Sequence, residues 1–159
     1  MSVSMKKMFP CLWFDDRIEE AVNFYVALFG GKVQDTSYYN DAGPLPKGTV
    51  MTMAFTLQDE EFLALNGGPH FKFNEAVSFQ IHCETQQEID FFWSKLSEGG
   101  REQPCGWLKD KFGLSWQVIP DALPRMLMDE NSEKSQRVMK SMLQMRKIDL
   151  AALKQAQSA

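Results

Sequence analysis

What this 159-residue chain lacks narrows its class before any motif is read. It has three cysteines, Cys11, Cys83 and Cys105, too few and too scattered for a disulfide framework or a CxxC zinc or redox motif. It has two histidines, His70 and His82, from which no Ser/His/Asp arrangement assembles. No apolar run reaches the roughly 18 residues that a membrane span needs. The start, Met1 to Met8, has lysines but no apolar core or small-residue cleavage site, which argues against a signal peptide. A basic excess is also missing. The net charge is −4, and a nucleic-acid partner needs a basic face. No GxGxxG or P-loop pattern occurs, so the loop on which nucleotide-binding sheets hold phosphate is absent. What remains is a soluble, reduced, cytoplasmic protein of one domain, or of two small halves sharing a core. A chain this long buries roughly 70% of its unfolded surface and needs no staple to fold.

The charge that is present is uneven. From Asp121 onward there are seven basic and five acidic residues, whereas the body before it carries ten basic and sixteen acidic. Five of the ten methionines also lie in this tail, so a boundary is expected just after Ile119-Pro120. Six of the ten glycines occur as pairs, Gly30-Gly31, Gly67-Gly68 and Gly99-Gly100. The first and third pairs follow helical spacing: Ile18, Ala21, Val22, Tyr25, Leu28 and Phe29 in one case, Ile89, Phe92, Trp93 and Leu96 in the other. Asp15 or Asp16 is the expected cap of the first helix. Thr85 with Glu88 forms a capping box for the second.

Strand-like runs surround each helix. Met8–Phe14 precedes the first, and 32–40, 49–57 and 61–66 follow it. Val77–Cys83 precedes the second, and 101–105, 107–111 and 114–119 follow. The order βαβββ is therefore written twice, which predicts an α+β fold of paired units with mixed sheets and a helical C-terminal extension. The expected boundaries are 1–70, 71–120 and 121–159.

Particular residues carry a family resemblance. Leu12-Trp13-Phe14, Glu20 to Tyr25, Phe29-Gly30-Gly31, Leu65 to Pro69, Val77 to Gln80, and Cys105-Gly106-Trp107 through Asp110, Gly113 and Ser115-Trp116-Gln117 resemble the vicinal oxygen chelate superfamily. That group includes glyoxalase I, extradiol dioxygenases and bleomycin-resistance proteins. More narrowly, the chain resembles its PhnB-like branch, labelled 3-demethylubiquinone-9 3-methyltransferase domain. The resemblance implies a U-shaped sheet with a bowl in each half, and four metal ligands, usually His or Glu, on the first and last strands of each half. Those positions hold Pro10 or Cys11, Phe62 or Ala64, Ser78 and Gln117, of which Cys11 alone is arguable as a ligand to a divalent metal. No metal and no cofactor is therefore expected. The glycine pairs end helices or strands, which gives methyl transfer from a nucleotide-type cofactor little support.

Strand alternation puts Ser78, Gln80 and His82 on one face, with Ser115 and Gln117 on the equivalent strand of the same half. Polar side chains lining a bowl can orient a ligand while aromatic walls bury it. The candidate ligand-binding set is Trp13, Ser78, Gln80, His82, Cys105, Trp107 and Gln117. No catalytic residue is assigned. The competing reading is a solvated or internally satisfied polar face, with Cys105 and Trp13 as packing residues and Asp110 as the tie of a hairpin turn. His82 has no patterned partner in the sequence, and His70 falls in the turn between the halves.

The tail predicts three helices: one from Asp121 with Pro124 in its first turn, one capped by Ser132, and one begun by Asp149. Val138, Met139, Met142 and Leu143 make an apolar stripe. A surface for the second subunit of a homodimer is preferred over a helix folded back on its own sheet. The expected function is binding of a small-molecule metabolite without catalytic metal, with no nucleic acid and no membrane as partner. The alternative is an enzyme acting on a small planar or carbonyl-bearing metabolite.

Overall fold

The computed structural model describes residues 8–159; the lysine-bearing start, residues 1–7, lies outside the described residues. Two compact units divide the chain, one up to Lys72 and one from Phe73 to Ala159. The first contains β1 (Cys11–Phe14), α1 (Ile18–Phe29), β2 (Gly31–Tyr38), β3 (Val50–Leu57) and β4 (Glu60–Asn66). The second contains β5 (Ser78–Cys83), α2 (Gln86–Ser97), β6 (Arg101–Glu102), β7 (Trp107–Lys109) and β8 (Ser115–Pro120). It continues into α3 (Leu123–Leu127), α4 (Ser132–Met142) and α5 (Leu150–Ser158). The fold is α+β, and the βαβββ repeat is literal in the strand order. One sheet runs β1-β4-β3-β2 and the other β5-β8-β7-β6. In each, the first strand lies parallel to the last while the remaining pairs are antiparallel.

One face of each sheet is covered by its own helix. In the first unit, Leu12, Phe14, Met53, Phe55, Leu57 and Ala64 are buried together with Ile18, Ala21, Val22 and Tyr25 of α1. In the second, Cys83, Leu108, Trp116 and Val118 are buried with Ile89, Trp93 and Leu96 of α2. Each large apolar side chain so buried contributes roughly 1.5–3 kcal/mol relative to exposure. This burial sets the strand faces, because a slip of one residue would turn every apolar side chain outward.

The glycine pairs divide two tasks between them. Gly30 and Gly99 follow α1 and α2 at φ of 73° and 72°, the left-handed region where glycine carries no Cβ penalty. Their neighbours Gly31 and Gly100 instead press on the adjoining strand. A Cβ there would sit 1.9 Å from the Thr56 carbonyl oxygen and 2.1 Å from that of Lys109. The same device thus closes both helix-to-strand turns.

Several local expectations are corrected. α1 has no side-chain cap from Asp15 or Asp16; Asp16 accepts the N–H of Arg17, one residue too early to reach the helix interior. Asn131, not Ser132, caps α4, because its side-chain oxygen accepts from the N–H groups of both Glu133 and Lys134. α3 starts after Ala122 with no side-chain cap, and Asp121 is turned to another use. β1 is shorter than Met8–Phe14 and begins after Pro10, which has no N–H for a ladder. β6 is only two residues long. Beyond it Pro104, Cys105 at φ 62° and Gly106 at φ 81° fold the chain into a tight turn, closed by the Gln103 N–H on the Trp107 carbonyl at 2.9 Å. Thr85 does cap α2, accepting from Glu88 N–H at 3.2 Å, and Asp149 caps α5.

The tail helices belong to the second unit. Val138, Ile148, Leu150 and Leu153 are buried. The side chain of Gln86 holds this segment from both sides, donating to the Ile148 carbonyl at 3.0 Å and accepting from the Leu150 N–H at 2.8 Å. The N–H groups of Cys105 and Gly106 donate to the carbonyls of Met145 and Arg146 at 2.8 and 2.7 Å. The expected stripe on α4 is split: Val138 faces inward, whereas Met139 and Leu143 are exposed. Among the described residues no helix is long and apolar enough to cross a membrane.

Candidate functional site

The face of the second sheet opposite α2 is almost wholly polar, and the strand register writes it out in rows. One row runs Ser78, Ser115, Lys109, Arg101 across β5, β8, β7 and β6. The next begins Gln80, Gln117, Trp107 and ends on Gln103, whose N–H meets the Trp107 carbonyl. His82 opens a third row beside Ile119. Parallel pairing of β5 with β8, remote in sequence, is what places the first and last strands of the unit side by side.

The side chains of this face are tied into one chain of hydrogen bonds. His82 Nε2 lies 3.3 Å from Gln80 Oε1, Gln80 Nε2 donates to Gln117 Oε1 at 3.2 Å, and Gln117 Nε2 donates to Ser78 Oγ at 2.8 Å. At the far end His82 Nδ1 stands 3.4 Å from the carboxylate of Asp121, both side chains being half exposed. Each amide uses one end to donate and the other to accept. Successive bonds in such a chain polarise one another. The Ser78 oxygen accepts at the chain's end, which leaves its own hydrogen free to turn toward a ligand. Four of the seven candidate residues, Ser78, Gln80, His82 and Gln117, therefore stand in contact. Trp107 is the register partner of Gln117, and Cys105 sits two residues before it in the left-handed turn.

Trp13 stands apart, in the first unit. Its indole N–H donates to the Gly68 carbonyl at 2.8 Å, and its ring meets that of Phe71 edge-on at 4.9 Å. Gly67 lies directly beneath the ring, where a Cβ would come within 2.4 Å.

A second polar group joins the same face from the segment entering β5. The Glu75 carboxylate accepts from Lys109 Nζ and from Gln103 Nε2, both at 2.9 Å. These bonds hold its pKa well down, to about 2. On the neighbouring strand the hydroxyl of Ser115, the register partner of Lys109, is fully buried and has no hydrogen-bond partner, and the Gln103 side-chain carbonyl is likewise buried and unpartnered. Buried polar atoms left without partners are uncommon in folded proteins. Asp110 holds the β7–β8 turn: it accepts from Phe112 N–H, Leu114 N–H and the indole of Trp116 at 2.8, 3.1 and 2.8 Å.

Sequence reasoning missed Asp121, Glu75 and Lys109. Asp121 reads as a helix cap, yet its N–H is bound to the Cys83 carbonyl, which sets it beside the end of β5 where His82 lies. The correction follows from register: Cys83 pairs with Pro120, so the next residue must fall at that strand end. Glu75 carries no signal in the sequence, because its contacts, Gln103 and Lys109, lie more than two dozen residues later.

The first sheet's open face is different. Cys11 and Trp13 of β1 pair with Leu63 and Leu65 of β4. Lys32, Asp35, Ala54, Glu61 and Leu63 help to line a depression of about 670 Å³. Phe62 and Ala64 alternate to the opposite, helix-covered side, so the position facing out near Cys11 is Leu63. Burial pushes the Cys11 thiol pKa up, away from the thiolate that binds metal. Ser78 and Gln117 already bond each other. Among the described residues no three His, Cys, Asp or Glu side chains converge. These donors do not fit a divalent ion. The turns before α1 and α2, Asp15–Arg17 and Glu84–Thr85, contain acidic residues and no glycine, unlike the phosphate-binding turn of a nucleotide-binding sheet.

Comparison with known proteins agrees with this architecture. Residues 6–119 match the model of the family described as 3-demethylubiquinone-9 3-methyltransferase. The PhnB protein of Bacillus cereus, described under that same name, is 35% identical over 72% of this chain and 99% of its own, with a TM-score of 0.66. A Pseudomonas aeruginosa protein at 20% identity covers 73% of this chain and 98% of its own, with a TM-score of 0.60. The fosfomycin resistance protein FosX of Listeria monocytogenes, at 16% identity, covers 74% and 92% with a TM-score of 0.50. These last two share the fold. No protein of curated function matches the chain. The chain belongs to the 3-demethylubiquinone-9 3-methyltransferase family, the PhnB-like branch of the vicinal oxygen chelate fold.

Proposed function

We propose that this protein binds a small-molecule metabolite on the polar face of its second sheet, without the divalent metal usual to the fold. Ser78, Gln80, His82 and Gln117 orient the ligand by hydrogen bonds, and the Trp107 indole beside them supplies an apolar wall. The observation that carries this reading is the connected row from Asp121 through His82, Gln80 and Gln117 to Ser78. Its members hold one another in position before any ligand arrives, so binding forfeits little side-chain freedom. The family's name states methyl transfer; the acidic, glycine-free turns before α1 and α2 favour the binding reading over it. FosX, a distant relation in fold, is described as a complex with manganese and sulfate. The donor chemistry at Ser78 and Gln117 supports the metal-free reading.

The second reading, an enzyme acting on a planar or carbonyl-bearing metabolite, has the His82–Asp121 contact in its favour, since a carboxylate orients an imidazole for proton transfer. Native mass spectrometry of the full chain, purified gently from its own cells, tests both. The expected result is a bound organic mass, lost in Gln117→Leu and retained in Glu61→Gln on the first sheet. Stoichiometric divalent metal overturns the metal-free reading. Consumption of the captured compound by the parent protein but not by His82→Gln replaces binding with catalysis. The homodimer expected from the Met-rich tail is read in the same spectrum.

A further inference from the structure

We propose that Glu75 is a built-in occupant of an oxyanion subsite on this face, and that a ligand's carboxylate or phosphate group takes its place on Lys109 and Gln103. The inference rests on the reading above that the polar face of the second sheet is the ligand site, and names the chemical class that the site takes.

Two buried polar atoms of the second unit are orphaned. Ser115 has no exposed surface and its hydroxyl has no partner, although strand parity sets it on the same face as its register partner Lys109. Leaving such a hydroxyl unsatisfied costs more than the bond it forgoes, so an unpartnered one inside a polar row marks a place for another polar group. The Gln103 side-chain carbonyl is orphaned in the same way while its amide nitrogen holds Glu75. The residues of this corner are a cation, an amide N–H, a hydroxyl and one spare acceptor. Arg101 extends the row as the register partner of Lys109 and adds a second positive charge.

That set fits an oxyanion: the charge goes to Lys109 and the lone pairs to the Gln103 amide and the Ser115 hydroxyl, and hydrogen phosphate, unlike a carboxylate, also brings an O–H for the Gln103 carbonyl. Glu75 meets only part of it. One of its oxygens, Oε1, accepts both the Lys109 and the Gln103 bond, and neither Ser115 nor the Gln103 carbonyl gains a partner from it. Its side chain is about half exposed, at 47%, and it stands on the segment before β5 rather than on a strand, so it can swing out without breaking the sheet. A ligand carboxylate that meets three of these groups, or a hydrogen phosphate that meets all four, displaces a carboxylate that meets two. Glu75 also keeps Lys109 neutralised when no ligand is bound, which disfavours anions that cannot use the Ser115 hydroxyl.

The test is titration of the full-length protein with inorganic phosphate and, separately, with acetate, followed through backbone amide shifts. In the parent, phosphate is expected to move the amides of Lys109 and Ser115. In Glu75→Gln it should bind about fivefold more tightly, the factor set by removing one half-exposed ion pair. Lys109→Gln in that background should abolish binding, and Lys109→Arg should restore it, which shows that the sheet is intact and that charge is what was lost. Acetate binding more tightly than phosphate in Glu75→Gln assigns the subsite to carboxylates, and the reverse assigns it to phosphates. Equal phosphate affinity in the parent and Glu75→Gln, or binding that survives Lys109→Gln, overturns the proposal. If that happens while Gln117→Leu still loses the cellular ligand, the subsite is wrong and the binding face stands. If Gln117→Leu keeps the ligand, the face itself is wrong.

Discussion

Replacing Asp110 by alanine is the most severe single test of how the second sheet is held. Asp110 is 3% exposed and its carboxylate accepts three hydrogen bonds: two from the turn backbone at Phe112 and Leu114, and one from the indole of Trp116. Hydrogen bonds to a charged acceptor are each worth roughly 1.5–3 kcal/mol, but they share one carboxylate whose desolvation cost also disappears on substitution. The alanine variant leaves the buried Leu114 N–H and the Trp116 indole N–H without acceptors, which costs about 1–3 kcal/mol each. The expected loss is therefore about 3–5 kcal/mol, a fall in Tm on the order of 10 °C for a chain of this size. Asp110→Asn keeps one acceptor oxygen and turns an NH2 toward a donor, so about half that loss is expected. Urea unfolding followed by tryptophan fluorescence reads both variants, and Trp116→Phe completes a double-mutant cycle that isolates the indole bond. Because the turn sets the register of β7 on β8, and with it the pairing of Trp107 with Gln117, ligand capture should fall in parallel. A Tm within about 2 °C of the parent in Asp110→Ala refutes the claim that this carboxylate ties the hairpin.

The other expectations concern titration and packing. Glu75 has its folded pKa lowered to about 2 from 4.5, so the stability it lends is present above pH 4.5 and lost as pH falls toward 2. Carboxyl carbon NMR should place its midpoint near the lower value, and Lys109→Gln should return it toward the ordinary range. Cys83 is shifted the other way, from 9.0 to about 12, chiefly by burial and then by Glu88 and Asp121. Its contribution is complete below pH 9 and is lost as pH rises toward 12, and iodoacetamide at pH 8 should leave Cys83 unlabelled until the protein is unfolded. Gly67→Ala drives a methyl group into the Trp13 ring, which must leave Gly68 and Phe71. A loss of about 1–3 kcal/mol and a red-shifted tryptophan emission are expected, and an unchanged spectrum would show that the indole is not seated there.

The grammar of this protein is legible in its local residue patterns. Helical spacing in Ile18–Phe29 and Ile89–Leu96, alternation in 51–57 and 77–83, and glycine pairs after both helices are local signals, and local chemistry suffices to read them. Asp110 was legible for the same reason, since its backbone partners lie two and four residues away. Caps were legible only to within a residue or so: Asn131 in place of Ser132 and the bare start of α1 were decided by which side chain could reach an N–H. What tertiary structure alone decided is whatever depends on pairing between distant strands. The parallel join of β5 to β8 turned Gln80, Gln117 and Ser78 from alternating polar residues into a bonded row, and carried Asp121 to His82. Packing among the tail helices likewise points Val138 inward and leaves Met139 and Leu143 outside. Glu75 on Lys109 and Gln103 is the clearest case. Nothing near Glu75 in the chain calls for a partner, and only the pairing of β6, β7 and β8 brings a cation and an amide to the place where its carboxylate rests.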